Sequence, residues 1–114
     1  MSALDTFRQG LRDGQPMFAD TLAFIEAHYD YQPTAFTNGA VHNAAGENAG
    51  SCKTLGLARL EGLSDEEALL AFGEHYRAVQ ATPDGDDHRN IRALMRHGLA
   101  GVRFEGTPLT RRLG

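Results

Sequence analysis

The chain has 114 residues, 41% apolar and 23% charged, enough for one globular domain and too few for a second core. A net charge of −4 argues against general nucleic-acid binding, which needs cations to neutralise phosphates. The single cysteine, Cys52, excludes an intrachain disulfide or a cysteine zinc cluster and suits a reducing compartment.

No apolar run approaches the roughly 18–20 residues of a membrane span, so no membrane insertion is expected. Asp5, Arg8, Arg12, Asp13 and Asp20 also interrupt any secretory h-region, so no cleaved leader is expected. Ser2 with Asp5 resembles a capping box. Leu4, Phe7 and Leu11 follow at helical spacing, and Gly14 ends the run. Pro16 suits a first turn, and Phe18, Leu22, Ile25 and Tyr29 mark an amphipathic helix of about fifteen residues. It should stop near Asp30–Tyr31, because Pro33 disfavours helical geometry at Gln32.

Residues 32–51 are expected to hold a short strand, a tight turn at Asn38-Gly39 and then a loop poor in large apolar side chains. Ser51 is a candidate cap for a helix reaching Leu60, with Leu55 and Ala58 inward and Gly62 as its stop. Gly56 would cost that helix about 1 kcal/mol relative to Ala. Ser64 and Glu67 form a second capping box ahead of a helix burying Leu69, Phe72, Tyr76 and Val79. Thr82-Pro83-Asp84-Gly85 breaks it. Asp87 then caps a last helix with Ile91, Leu94 and Met95 inward and Gly98 at its end. Residues 101–106 alternate as a short strand, a candidate partner for residues 34–37. The expectation is a single, mainly α domain over residues 1–114: about five helices and a minor short β element. Residues 1–14 form an N-terminal helix, either mobile, as Ser2, Thr6 and Gln9 suit, or docked through the Leu4/Phe7/Leu11 stripe, and the tail over 107–114 should be loosely held.

Charge is placed in blocks. Residues 61–87 carry eight acids against Arg77, whereas residues 88–114 carry six arginines against Glu105. Such blocks either pair within the fold or offer a basic patch to a partner. Arg89, Arg92 and Arg96 share one helix face, either solvated or open to an acidic partner. Asp84, Asp86, Asp87 and His88 cluster without any metal motif, and helix capping explains them more simply than ligation; no metal or cofactor is expected.

The densest polar constellation lies between residues 38 and 53. Asn38, Asn43, Asn48, Ser51, Cys52 and Lys53 offer amides, a hydroxyl, a thiol and the chain's only ammonium side chain. If Ser51 opens a helix, its free N–H groups would favour an anion and the thiolate of Cys52. The alternative is that the asparagines only brace the loop and that Cys52 is a small buried residue. The spacing is not that of a phosphate loop. Nucleophilic catalysis would need a base for Cys52, for which His88 is a candidate.

The string Tyr29-Asp30-Tyr31-Gln32-Pro33-Thr34-Ala35-Phe36-Thr37-Asn38-Gly39, then Asn43, Gly46, Asn48 and Gly50-Ser51-Cys52-Lys53, resembles the HopJ family of bacterial proteins. Phe72-Gly73, Tyr76-Arg77, Pro83-Asp84-Gly85, His88, Asn90-Ile91-Arg92 and Phe104-Glu105-Gly106 extend the likeness over residues 15–109. The family is named for a type III secreted effector of plant-pathogenic bacteria. The resemblance implies a protein of the bacterial cytoplasm that a type III apparatus can export into a host cell. It transfers no catalytic residue. It carries over Asn38, Asn43, Asn48, Ser51, Lys53, Tyr76, Arg77, His88, Asn90 and Arg92 as a shared surface, and His75 stands where relatives often have an aromatic residue. The expected function is recognition of a polar ligand or a protein segment, host or bacterial, by the asparagine loop and the Arg/His-bearing helix. A small cytoplasmic enzyme using Cys52 or His88 is the alternative.

Overall fold

The computed structural model describes residues 2–112. Among them are six helices: α1 Ala3–Asp13, α2 Phe18–His28, α3 Ala49–Glu61, α4 Asp65–Leu70, α5 Glu74–Ala81 and α6 Arg89–His97. Five short strands accompany them: β1 Tyr29–Tyr31, β2 Phe36–Asn38, β3 Val41–Asn43, β4 Val102–Phe104 and β5 Leu109–Arg111. β3, β2 and β4 form one antiparallel sheet in that order, and β1 pairs antiparallel with β5. None of the described helices is long and apolar enough to cross a membrane.

The centre of the fold is α3. Cys52, Thr54, Leu55, Gly56, Leu57 and Ala58 are all buried, so the helix is covered on nearly every side, with Ile25, Phe36, Phe72, Leu94 and Leu109 completing the core. Gly56, costly to the helix by itself, has a packing role. A Cβ there would stand 3.0 Å from the Pro108 ring, so its absence lets the C-terminal strand lie on the helix. The helix begins at Ala49 after Asn48, not at Ser51, which sits inside the first turn.

Both capping boxes form as the sequence indicates, at Ser2/Asp5 and Ser64/Glu67. The helix expected over residues 64–81 is instead two. Gly73 breaks it at φ +62°, where a Cβ would fall 2.4 Å from the Phe18 nitrogen. The start of α2 packs into this break. The Phe18 N–H donates to Glu74 Oε1 at 2.7 Å, and the Thr21 hydroxyl donates to the Ala71 carbonyl at 2.6 Å. Each element thus satisfies backbone groups that the other leaves without partners.

Residues 32–51 are also more ordered than a loop. β2 and β3 make a tight hairpin through Gly39 and Ala40, with Asn38 paired to Val41 and Gly39 at φ +59°. The pairing expected between residues 34–37 and 101–106 appears as β2 on β4, Phe36 opposite Phe104 and Asn38 opposite Val102. α2 ends at His28 and Tyr29 enters β1, slightly earlier than expected.

Three local expectations are corrected. The tail is held: β5 pairs with β1, Leu109 is 2% exposed, and Arg111 forks onto Glu61, which also accepts from the Tyr29 hydroxyl. Leu113 and Gly114 of that tail lie outside the described residues. Met95 faces outward rather than into the core. Asp87 does not cap α6. Its carboxylate goes to Arg92 at 2.6 Å, and His88 takes the cap position.

The N-terminal helix is anchored. Phe7 stacks on Phe24 with ring centroids 4.4 Å apart, and Leu11 is buried. Arg8 forks onto the buried Glu67 through Nε at 2.9 Å and Nη2 at 2.8 Å, with Arg12 at 3.5 Å. These contacts hold the Glu67 carboxyl at about pKa 2, the Arg8 bond being the main cause.

Candidate functional site

The β2–β3 hairpin and the starts of α3 and α6 meet around a polar knot of asparagines. Asn90 Nδ2 donates to Asn43 Oδ1 at 3.0 Å, and Asn43 Nδ2 donates back to Asn90 Oδ1 at 3.2 Å. Asn48 Nδ2 donates to the same Asn43 oxygen at 2.6 Å. Asn38, fully buried, donates to the Asn90 carbonyl at 2.8 Å and to Asn90 Oδ1 at 3.2 Å. Four carboxamides from the hairpin and two helix starts therefore fix one another, and removing Asn43 or Asn90 would strand a buried donor. The Asn38 carboxamide oxygen is buried without a partner among the described residues.

Above this knot opens a cleft of about 630 Å³. One wall comes from β3, the following turn and α3: Asn43, Glu47, Asn48, Ser51. The other comes from the segment leading into α6: Asp86, Asp87, His88, Arg89, Asn90. Its back is an aromatic series. Phe72 and Phe18 stack at 5.8 Å, Phe18 meets His75 edge-on at 5.2 Å, and His75 lies 5.1 Å from His88.

Two backbone features coincide here. Asn48 at φ 51° and His88 at φ 49° are the two non-glycine residues in left-handed conformation among those described. Each is the N-cap of a helix, α3 and α6, each lacks a side-chain capping bond, and both line the cleft. The first turns of both helices thus begin at the same hollow, with N–H groups that no cap satisfies. Left-handed geometry costs an L-residue about 1–2 kcal/mol, less for Asn, and such strain concentrates at functional sites. Asn48 and His88 hold it jointly in one place.

The sequence-derived residues divide. Asn43, Asn48, Ser51, His88 and Asn90 line the cleft, and Asn38 supports it from below. Cys52 and Lys53 face elsewhere. Cys52 is 1% exposed, its thiol donates to the Thr34 carbonyl at 3.5 Å, and burial pushes its pKa up. A buried, protonated thiol whose hydrogen bond goes to a carbonyl lacks the base that a nucleophile needs. Lys53 Nζ sits 4.9 Å from the centroid of the Tyr31 ring. Tyr76 and Arg77 border a separate hollow beside Gly14–Pro16, where Arg77 donates to the Pro16 carbonyl at 2.8 Å. Arg92 is spent on the loop before α6, bonding the Asp87 carboxylate and the Thr82 carbonyl, and it draws the Asp87 pKa down.

Phe18, His42, Glu47 and His75 also line the cleft, and none of them is among the binding residues expected from the sequence. His75 carried a signal only as a departure that the family resemblance implies just before Tyr76-Arg77. In the fold it continues the Phe72–Phe18 series toward His88. Phe18 gave none, because its spacing identified it only as part of a buried stripe.

A family model described as HopJ type III effector protein matches residues 4–109. Among solved structures, the crystal structure of the unknown-function protein VPA0580 is similar, with a TM-score of 0.91 and 40% identity. The likeness covers 97% of this chain and 95% of that one. No curated protein matches the chain.

Proposed function

The chain belongs to the HopJ type III effector protein family, and we propose that it acts as an effector-like recognition protein whose asparagine-braced cleft takes a polar ligand, free or carried on a protein segment. The observation that carries this reading is the convergence of the Asn43–Asn48–Asn90 knot with two uncapped helix starts on one open hollow. The N–H groups of both first turns favour hydrogen-bond acceptors in the ligand, and the helix dipoles add to that preference. Ser51 and the histidine rings supply polar and stacking contacts at the mouth. The carboxamides below are locked by one another, so the walls are arranged before any ligand arrives.

The recognition reading is tested by thermal shift against a panel of small carboxylates, amides and amino-acid derivatives. Stabilisation of the wild-type protein that Ser51→Trp abolishes by filling the cleft is the expected result. Compounds that stabilise both proteins equally, or none that stabilises either, overturn it. Export is a separate part of the proposal, supported by the family alone. It is tested by fusing a host-activated adenylate cyclase to the C-terminus in a bacterium with a type III apparatus. Cyclic nucleotide should rise in host cells and not with an apparatus-deficient strain; equal signals from the two strains contradict export.

A further inference from the structure

We propose a second interaction surface, on the opposite edge of the three-stranded sheet, that binds an extended acidic peptide segment by adding it as a strand along β4. The sheet order β3-β2-β4 leaves β4 without a strand on its outer side. The Glu105 N–H donates to the Ala35 carbonyl and the Gly39 N–H to the Gly101 carbonyl, so residues 101, 103 and 105 turn their backbone groups toward β2. By the same alternation, Val102 and Phe104 turn theirs outward. Those of Val102 are occupied, its N–H by the Leu99 carbonyl and its carbonyl by Arg59. Phe104 remains, presenting both an N–H and a carbonyl along an open edge.

Two hollows flank that position, with Arg59 and Phe104 lining both. The first, about 560 Å³, lies beside Leu99 and Arg103; the second, about 250 Å³, lies beside Leu60 and Pro108. The residues lining them are mainly apolar, and their charged side chains are basic. No acidic residue lines either hollow, and neither Arg59 nor Arg103 has a carboxylate partner among the described residues. Arg59 directs Nη2 to two carbonyls, leaving Nε and Nη1 without acceptors there. An extended segment with alternating side chains fits this surface. One set reaches Leu60 and Phe104, the other meets the two guanidiniums, and its backbone pairs with Phe104. Positive charge selects acidic residues and repels a basic segment.

The probe is a fluorescein-labelled octapeptide of alternating glutamate and valine, titrated with the full chain by fluorescence anisotropy. Saturable binding is expected. It should be at least tenfold weaker for the lysine–valine peptide, for a peptide with proline at its centre, and for Arg103→Glu, an exposed substitution whose folding is verified by its melting curve. Backbone amide shifts on binding should centre on Val102–Gly106. The inference is overturned by absent binding, by equal affinity for the two charge types, or by wild-type affinity of Arg103→Glu. Shifts centred on Asn48–Ser51 and His88–Asn90 also overturn it, since the peptide would then occupy the cleft on the other edge.

Discussion

Glu67 is 1% exposed and is the one buried carboxylate among the described residues, yet it is fully engaged: Arg8 forks onto it, Arg12 stands near, and the Ser64 N–H caps it. Its pKa falls to about 2 against an unfolded value near 4.3, so the ionised form stabilises the fold by about 2–3 kcal/mol. The folded state holds this proton less tightly than the unfolded one. The contribution is therefore complete above about pH 4.3 and is lost as pH falls through the folded value. Glu67→Gln should lower stability at pH 7 by about that amount and flatten its decline in acid, measured by urea melts across pH. Equal stability of the two proteins at pH 7 would contradict the assignment. His88 is a contrasting residue, because its left-handed backbone works against the fold. His88→Gly should leave stability unchanged or raise it by up to about 1 kcal/mol while weakening cleft binding. A large loss of stability would mean that the ring, not the site, explains the strain. Cys52 makes a third case. Its thiol should react with an aromatic disulfide reagent only as fast as the protein opens, and rapid modification of the native state would restore it as a chemical candidate.

At the scale of elements, the junction of α4 and α5 positions the aromatic back of the cleft. Gly73 admits the Met17–Phe18 backbone, and that approach sets Phe18 against Phe72 and His75. Gly73→Ala adds a Cβ 2.4 Å from a backbone nitrogen at a positive φ. It should cost at least about 2 kcal/mol in a denaturant melt; a change under 0.5 kcal/mol would contradict this account of the break. The element boundaries also show what a sequence displays. Ser2/Asp5 and Ser64/Glu67 announce their helices because the capping chemistry is local. The break at Gly73 was illegible because Leu69, Phe72, Tyr76 and Val79 keep helical spacing straight through it, and its cause lies more than fifty residues earlier at Phe18. The strand at Leu109–Arg111 was hidden for a similar reason: a three-residue strand has almost no period, and its partner, Tyr29–Tyr31, is remote. Asn38, Asn43 and Asn48 were legible as chemistry in one chain segment, whereas Asn90 entered only through the family resemblance. That they bond to one another depends on the hairpin, which composition alone presented as a loop.

For the whole molecule, the charge blocks pair only in part among the described residues. Glu61 meets Arg111 and Asp87 meets Arg92, whereas Glu67 is answered from α1 and Asp30 by Arg112. The exposed pairs among these are worth little individually. The three-stranded sheet then divides the surface into two edges of different character: a polar cleft with two helix starts beside β3, and two hollows with mainly apolar and basic linings beside β4. Ligand recognition is expected at the first edge. The most direct measurement is a ¹H–¹⁵N NMR titration of the full chain with polar fragments bearing hydrogen-bond acceptors. Amide shifts and the side-chain NH₂ signals of Asn48 and Asn90 should move together, centred on residues 48–51 and 88–91. Fragments that scatter over the surface, or leave those amides still while binding elsewhere, would contradict it.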